Sequence, residues 1–249
     1  MLDNKQLERF ERNIRLAGIG ESGQEKLLKS AVLVIGAGGL GSASILYLAA
    51  AGVGTLAIAD SDRVELSNLQ RQVVHFTGDV GMEKAVSAAE KAVKINPEVK
   101  IISIVERVTP ENIVRVITGY DFVIDAADNF STKYLINEHC VRMKIPFSHA
   151  GVQGFTGQLL TVVPGSACVE CAFGSEPKKG EYTEPASEGI LGAVAGFAGT
   201  LQAAEAVKSI TGTGELLTGK VFSFDLRTNR YKIIKTDRQA KCRVCGEMK

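Results

Sequence analysis

"VLVIGAGGLGSA", Val32 to Ala43, runs four apolar residues into a glycine-rich turn and then into small residues suited to a helix. The apolar run predicts a buried strand, so Gly36, Gly38 and Gly41 fall as G-x-G-x-x-G between a strand and the helix after it. Without side chains at these positions, and with Gly39 beside them, backbone N–H groups can approach phosphate oxygens closely, and the helix start adds partial positive charge. The same glycines also suit a tight turn that only packs helix on sheet. Asp60 follows Gly41 by 19 residues, at the end of the next strand, where a carboxylate can accept from ribose hydroxyls. To this point an NAD-dependent oxidoreductase and an ATP-binding enzyme read alike.

Outward from the turn, strand-like runs Ala31–Ile35, Thr55–Ala59, Lys100–Val105 and Phe122–Asp125 alternate with helical ones at Leu40–Ala51, Met82–Ile95, Glu111–Ile117 and Ser131–Met143. That alternation predicts a Rossmann-like α/β fold, a mostly parallel sheet flanked by helices. A further strand is expected near Ile145. "GQLLTVVPG" and "GKVFSFDLRTNRYKIIKT" read as antiparallel strands continuing the sheet, with a small-residue helix from Ile190 to Ile210 between them. One domain over residues 1–249 is expected, with a nucleotide-binding half at 1–150 and a second half at 151–249. Leu7, Phe10, Ile14 and Ile19 predict one amphipathic leading helix. The loop Gly174–Glu188 has no periodicity and is expected to be mobile.

The chain has 249 residues, 23% of them charged, and a formal net charge of +1. No global field draws it to nucleic acid or to an anionic membrane, and neither is expected as a partner. The apolar stretch Ala43–Ala59 is interrupted by Gly52 and Gly54 and fits a helix and a strand rather than a membrane span. The N-terminus lacks the pattern of a signal peptide, so a cytoplasmic protein with reduced thiols is expected. "CVEC" and "CRVC" place Cys168, Cys171, Cys242 and Cys245 in two C-x-x-C pairs with 70 residues between them. Four thiolates satisfy tetrahedral Zn2+ and leave no open position, which makes the site structural. A redox pair is the alternative. Cys140 reads as a small buried residue, and His75, His139 and His149 form no metal-binding spacing.

"DSDRVELSNLQRQ" gathers Asp60, Asp62, Asn68, Arg71 and Gln72 in one long loop, with Lys84 soon after. A triphosphate under cleavage needs cations at its reacting end, which Arg71 and Lys84 can supply. "VIDAADN" puts Asp125, Asp128 and Asn129 at the end of a later strand, the edge of an open sheet where ligands bind, and a carboxylate there can hold magnesium. Each charge alone could equally be a solvated surface group. No G-x-x-x-x-G-K-[ST] motif occurs, which excludes a Walker-type site.

Together "GAGGLGS", the Asp60-x-Asp62 pair, "NLQRQ", Lys84 and "DAADN" resemble the ThiF/MoeB/HesA family, bacterial relatives of the ubiquitin-activating enzymes. The resemblance runs from "RFERNIRL" to "CRVCG". It implies an adenylyltransferase that uses ATP and Mg2+ to adenylylate the C-terminal Gly of a small ubiquitin-like sulfur carrier ending in Gly-Gly. By motif, Asp60 would hold the ribose, Asn68, Arg71 and Lys84 would surround the phosphates, and Asp128 would bind Mg2+. Arg12 matches the arginine that this family's homodimers insert into the partner's ATP site. The family also carries zinc on two C-x-x-C pairs, and the second half of the chain would dock the carrier. Where some relatives place a reactive cysteine on the crossover loop, this chain has Pro185, Ala186 and Ser187, so transfer without an enzyme thioester is expected. That departure leans toward the molybdopterin branch rather than the thiamin branch. Sulfur is expected from a separate donor. A peptide or small-molecule carboxylate as substrate, an NAD-dependent oxidoreductase and a non-catalytic zinc scaffold remain the alternatives.

Overall fold

The computed structural model describes residues 1–178 and 189–246. Most of the expected mobile loop, including Pro185, Ala186 and Ser187, lies outside the described residues. The strands are β1 (Ala31–Ile35), β2 (Thr55–Ala59), β3 (Lys100–Ile104), β4 (Phe122–Asp125), β5 (Phe147–Gln153), β6 (Thr156–Val162), β7 (Lys220–Asp225) and β8 (Arg230–Lys235). They form one eight-stranded sheet in the order β3-β2-β1-β4-β5-β6-β7-β8. The first five are parallel, and β6, β7 and β8 continue the sheet antiparallel, as the sequence pattern predicts.

The helices are α1 (Asn4–Arg9), α2 (Glu11–Ile14), α3 (Gly20–Lys29), α4 (Gly39–Ala51), α5 (Lys84–Ile95), α6 (Ile113–Ile117), α7 (Phe130–Arg142), α8 (Val169–Phe173) and α9 (Gly192–Thr211). Residues of α4, α5 and α9 share one core with one face of the sheet, and residues of α6, α7 and α8 share a second core with the other face. Covered on both sides, β4 is buried along its whole length and β1 at all but its first residue, which is why they read as unbroken apolar runs.

The leading segment departs from the single helix expected. The chain bends at Phe10 (φ −103°, ψ 13°), whose ring is buried against Gly52 at the end of α4. Gly18 and Gly20, both at positive φ, then turn it into α3. That helix escapes a reading by apolar spacing because its core-facing residues are Gly23, Gln24 and Leu27, only one of them apolar and large.

Two close approaches seat the glycine turn. Gly36 has φ 101°, and a Cβ there would lie 2.5 Å from the Ala126 carbonyl oxygen on the neighbouring strand's loop. A Cβ on Gly41 would lie 1.9 Å from the Gly36 carbonyl oxygen, so the first turn of α4 rests directly on the end of β1. The small-residue helix α9 packs on α4 by the same device: a Cβ on Gly199 would meet the Leu40 carbonyl at 2.1 Å, and Ser44 Oγ donates to the Gly199 carbonyl at 2.9 Å. From β1 the sheet grows one way through β2 and β3, then resumes on the other side at β4. The loops after β1 and β4 therefore part and leave a crevice at the carboxyl edge.

Gly41→Ala is expected to destabilise the chain by about 1–3 kcal/mol or more, because backbone rather than a movable side chain blocks the added methyl. Thermal unfolding of the variant checks this, and an unchanged melting temperature contradicts the packing described.

Candidate active site

Asp62, Arg63, Glu65, Asn68, Arg71, Gln72, Lys84 and Asp128 line one polar cleft of about 300 Å³ at that crevice. Six of the residues picked out in the sequence thus meet there: Asp62, Asn68, Arg71, Gln72, Lys84 and Asp128. Arg63 and Glu65 were not singled out, although they belong to the same loop.

Lys84 opens α5, and its side chain is only 8% exposed. Its Nζ donates to Asp62 Oδ2 at 2.8 Å, and its backbone N–H donates to the Asp62 carbonyl at 2.8 Å. The Asp62 side chain is 62% exposed, so this carboxylate can turn to water and leave the buried ammonium to another anion. Among the described residues Arg71 is held lightly, by one bond from Nη1 to the Ser67 carbonyl at 3.2 Å. Arg63 is held more firmly, on Glu83 at 2.6 Å and the Gly81 carbonyl at 2.7 Å. Asn68 Oδ1 accepts from the Glu65 N–H at 3.3 Å, which shapes the loop. Gln72 is 4% exposed, and its Oε1 has no protein partner among the described residues, an acceptor left for a ligand.

Asp60 stands at the end of β2 and braces the turn: Oδ2 accepts from the Ala37 N–H at 2.7 Å and Oδ1 from the Asp62 N–H at 2.8 Å. Burial pushes its carboxyl above the usual range, against the two backbone hydrogen bonds. Each oxygen keeps a further lone pair for a hydroxyl donor. Asp128 is exposed at the cleft wall, and Asn129 beside it caps α7 by accepting from the Thr132 N–H at 2.9 Å. Asp60, the turn glycines Gly36, Gly38, Gly39 and Gly41, Asn129 and Arg12 are not among the residues lining the cleft; the glycine turn borders it through Gly38 beside Gln72 and Gly39 beside Arg71, and Arg12 is exposed on α2.

Asp125 turns away from this group. It is fully buried, 2.6 Å from His149 Nδ1 and 3.3 Å from Lys133 Nζ, and Lys133 also donates to the Ala150 carbonyl at 2.5 Å. Burial pushes the Asp125 carboxyl up, but Lys133 and His149 outweigh it and hold the group below the usual carboxylate range. Magnesium binding by Asp125 is therefore not what its surroundings favour: both carboxylate oxygens are taken by interior partners. His149, given no role from the sequence, is one of them.

A model of the ThiF family matches residues 10–244. The chain belongs to the ThiF family. It is 43% identical over 246 residues to the SAMP-activating enzyme E1 of Haloferax volcanii, covering 99% of this chain and 91% of that protein. It is 36% identical over 249 residues to the sulfur carrier protein adenylyltransferase of Thermus thermophilus, covering 98% and 92%. Against the adenylyltransferase and sulfurtransferase MOCS3-1 of Zea mays it is 41% identical over 241 residues, but spans only 52% of that protein. Among solved structures, E. coli MccB with MccA-N7isoASN superposes with a TM-score of 0.87 at 25% identity, covering 98% of this chain and 76% of that one. This ThiF-family chain is an adenylyltransferase. Among its described residues no helix is long and apolar enough to cross a membrane.

In this ThiF-family protein the four cysteines of the two C-x-x-C pairs converge, with all four sulfurs within 4.8 Å of one another. Cys168 and Cys242 Sγ are 3.6 Å apart, and Cys171 and Cys245 Sγ 3.3 Å apart. Tetrahedral zinc sets sulfurs about 3.8 Å apart, so the cluster could hold Zn2+ with little adjustment. Contact between pairs, rather than within one, does not suit a C-x-x-C working alone. Burial pushes the Cys245 thiol up to about 11 and raises that of Cys168, whereas hydrogen bonds outweigh burial at Cys242 and lower its thiol. Gln239 N–H donates to Cys171 Sγ at 3.4 Å and its Nε2 to the Cys171 carbonyl at 3.1 Å, docking the tail on α8, while Arg238 Nε braces the tail internally by donating to the Cys245 carbonyl at 2.8 Å.

Mercurial titration of the purified protein is expected to release about one equivalent of zinc per chain and to lower the melting temperature. Release of no metal contradicts the zinc reading.

Proposed function

We propose that this chain uses ATP and Mg2+ to adenylylate the C-terminal glycine carboxylate of a small ubiquitin-like sulfur carrier ending in Gly-Gly, releasing pyrophosphate. The observation that carries this reading is the meeting of Arg71, Lys84 and Asp128 in one cleft, which borders the glycine turn where Gly39 lies against Arg71. Two relatives of nearly matching length bear names that support it, a SAMP-activating enzyme and a sulfur carrier protein adenylyltransferase. MccB, similar in fold, has been solved with ATP and with the peptide MccA, which keeps a peptide carboxylate as the second reading.

The chemistry asks little proton transfer of the protein. A terminal carboxylate, with a pKa near 3.5, is already ionised at neutral pH. The obstacle is an anion approaching a triphosphate, so neutralising charge is what the site must offer. Lys84 would exchange Asp62 for a phosphate oxygen, and Arg71 would leave the Ser67 carbonyl for another. Asp60 would accept from the ribose hydroxyls and Gln72 Oε1 from a further donor of the nucleotide. The turn of Gly36, Gly38, Gly39 and Gly41 would offer N–H groups to the phosphates. Asp128, an exposed carboxylate at the cleft wall, suits Mg2+, which is commonly held by one or two carboxylates together with substrate phosphates. When bound, that ion would supply further neutralisation of the phosphates.

Other parts of this reading extend past one chain. Arg12, exposed on α2, would complete the site of a second copy in a homodimer. With no cysteine between Cys171 and Cys242, the carrier adenylate would leave without an enzyme thioester and take sulfur from a separate donor. The half from residue 151 onward would dock the carrier. A cytoplasmic setting would keep the cysteines reduced for zinc.

Exchange of labelled pyrophosphate into ATP tests the proposal. Exchange is expected to require the Gly-Gly carrier, to vanish in Asp128→Ala, and to fall about 10²–10³-fold in Arg71→Ala or Lys84→Ala. Exchange indifferent to the carrier would move the reading to a small carboxylate. Binding of NADH without ATP would revive the oxidoreductase.

A further inference from the structure

Ala37 lies between Gly36 and Gly38 and is fully buried. Its N–H is taken by Asp60. Its carbonyl meets His75 Nε2 at 2.9 Å. A carbonyl only accepts, so Nε2 carries the hydrogen. The other ring nitrogen, Nδ1, lies 2.8 Å from Ser87 Oγ. Burial pushes the imidazole's pKa below its usual value, which favours the neutral ring.

Ser87 sits on α5, three residues after Lys84 and so one turn along the same side of the helix. It also lies 3.0 Å from Asp79 Oδ2, and Asp79 pairs with Lys91 at 2.5 Å. His75, 4% exposed, thus bridges the two elements that border the cleft, the glycine turn and the helix that begins with Lys84.

The peptide between Ala37 and Gly38 is planar and trans, so its C=O and N–H point in opposite directions. With the Ala37 carbonyl held on His75, the Gly38 N–H is turned away from the ring. It has no protein partner among the described residues. A phosphate donor on a glycine turn is only as good as its aim, since the glycines that allow close approach also allow the peptide to rotate.

We propose that His75 is a positioning residue for the nucleotide: by donating to the Ala37 carbonyl it fixes the Ala37–Gly38 peptide so that the Gly38 N–H faces the phosphates, in register with Lys84. This rests on the ATP reading above.

The test compares His75→Leu, which fills the space without a donor, with His75→Gln, whose amide Nε2 can still donate to Ala37. ATP affinity is measured calorimetrically on the full chain, and melting temperature alongside it. His75→Leu is expected to bind ATP about tenfold more weakly, and His75→Gln within about threefold of the original, even if both melt at the same lower temperature. If the leucine variant does not fold, His75→Asn replaces it, its amide being too short to reach Ala37, with the same weakening expected. Leucine or asparagine at wild-type affinity, or glutamine weakened as far as they are, overturns the proposal. The readout is binding and not turnover. A wild-type chain that binds ATP without pyrophosphate exchange would sink the adenylylation reading, and the affinity ratio would still decide this one.

Discussion

The fold turns on the contact between the carbonyl of Gly36 and the α-carbon of Gly41. No side chain fits there, so α4 begins where β1 ends, and its unpaired N–H groups open at the carboxyl edge of the sheet. The parallel order around β1 brings the loops after β2 and β4 to the same edge. Asp60 and His75 then pin the two polar ends of Ala37 from below. Helix α9 closes over α4 through Gly199, and Gly39 meets Ala195 just beside the turn. A cleft with buried Lys84 on one side and exposed Asp128 on another follows from these backbone constraints.

Charge in the cleft is arranged in layers of differing firmness. Lys84 is buried and paired with a partner that is mostly in water, and Arg71 is tied to the Ser67 carbonyl by a long bond. Both can trade their present partners for phosphate at small cost, because an exposed carboxylate regains its hydration when released. The Asp125–His149–Lys133 cluster beneath is the opposite case. Its partners are all buried, and separating them would strand a charge. The mobile-partner cations face the cleft, while Lys133 and the buried His149 ring, whose pKa burial pushes down, hold β4 to α7 and β5.

Much of this was legible in the sequence. Strands β1, β2 and β4 announce themselves as apolar runs because both their faces are covered, and the cleft residues because "DSDRVELSNLQRQ" and "DAADN" each crowd polar side chains after a strand. The two C-x-x-C pairs were legible for a similar reason, since four thiols at such spacing have few other uses. What could not be read is contact across distance in the chain. His75 looks like one residue in an apolar stretch until the turn 38 residues earlier is folded over it. Asp125 and Asp128 look like a matched pair until the end of β4 sends one inward and one outward. The bend at Phe10 and the helix α3 were hidden because glycines and a buried glutamine stand where apolar spacing would be sought.

The central claim is that cations now resting on protein partners are transferred to the nucleotide's phosphates. A crystal structure with a non-hydrolysable ATP analogue tests it most directly. The account predicts the triphosphate against the Gly36–Gly41 turn, with Lys84 Nζ moved from Asp62 to a phosphate oxygen and the Arg71 guanidinium turned onto another. A nucleotide bound there while Lys84 stays on Asp62 and Arg71 points away would contradict it.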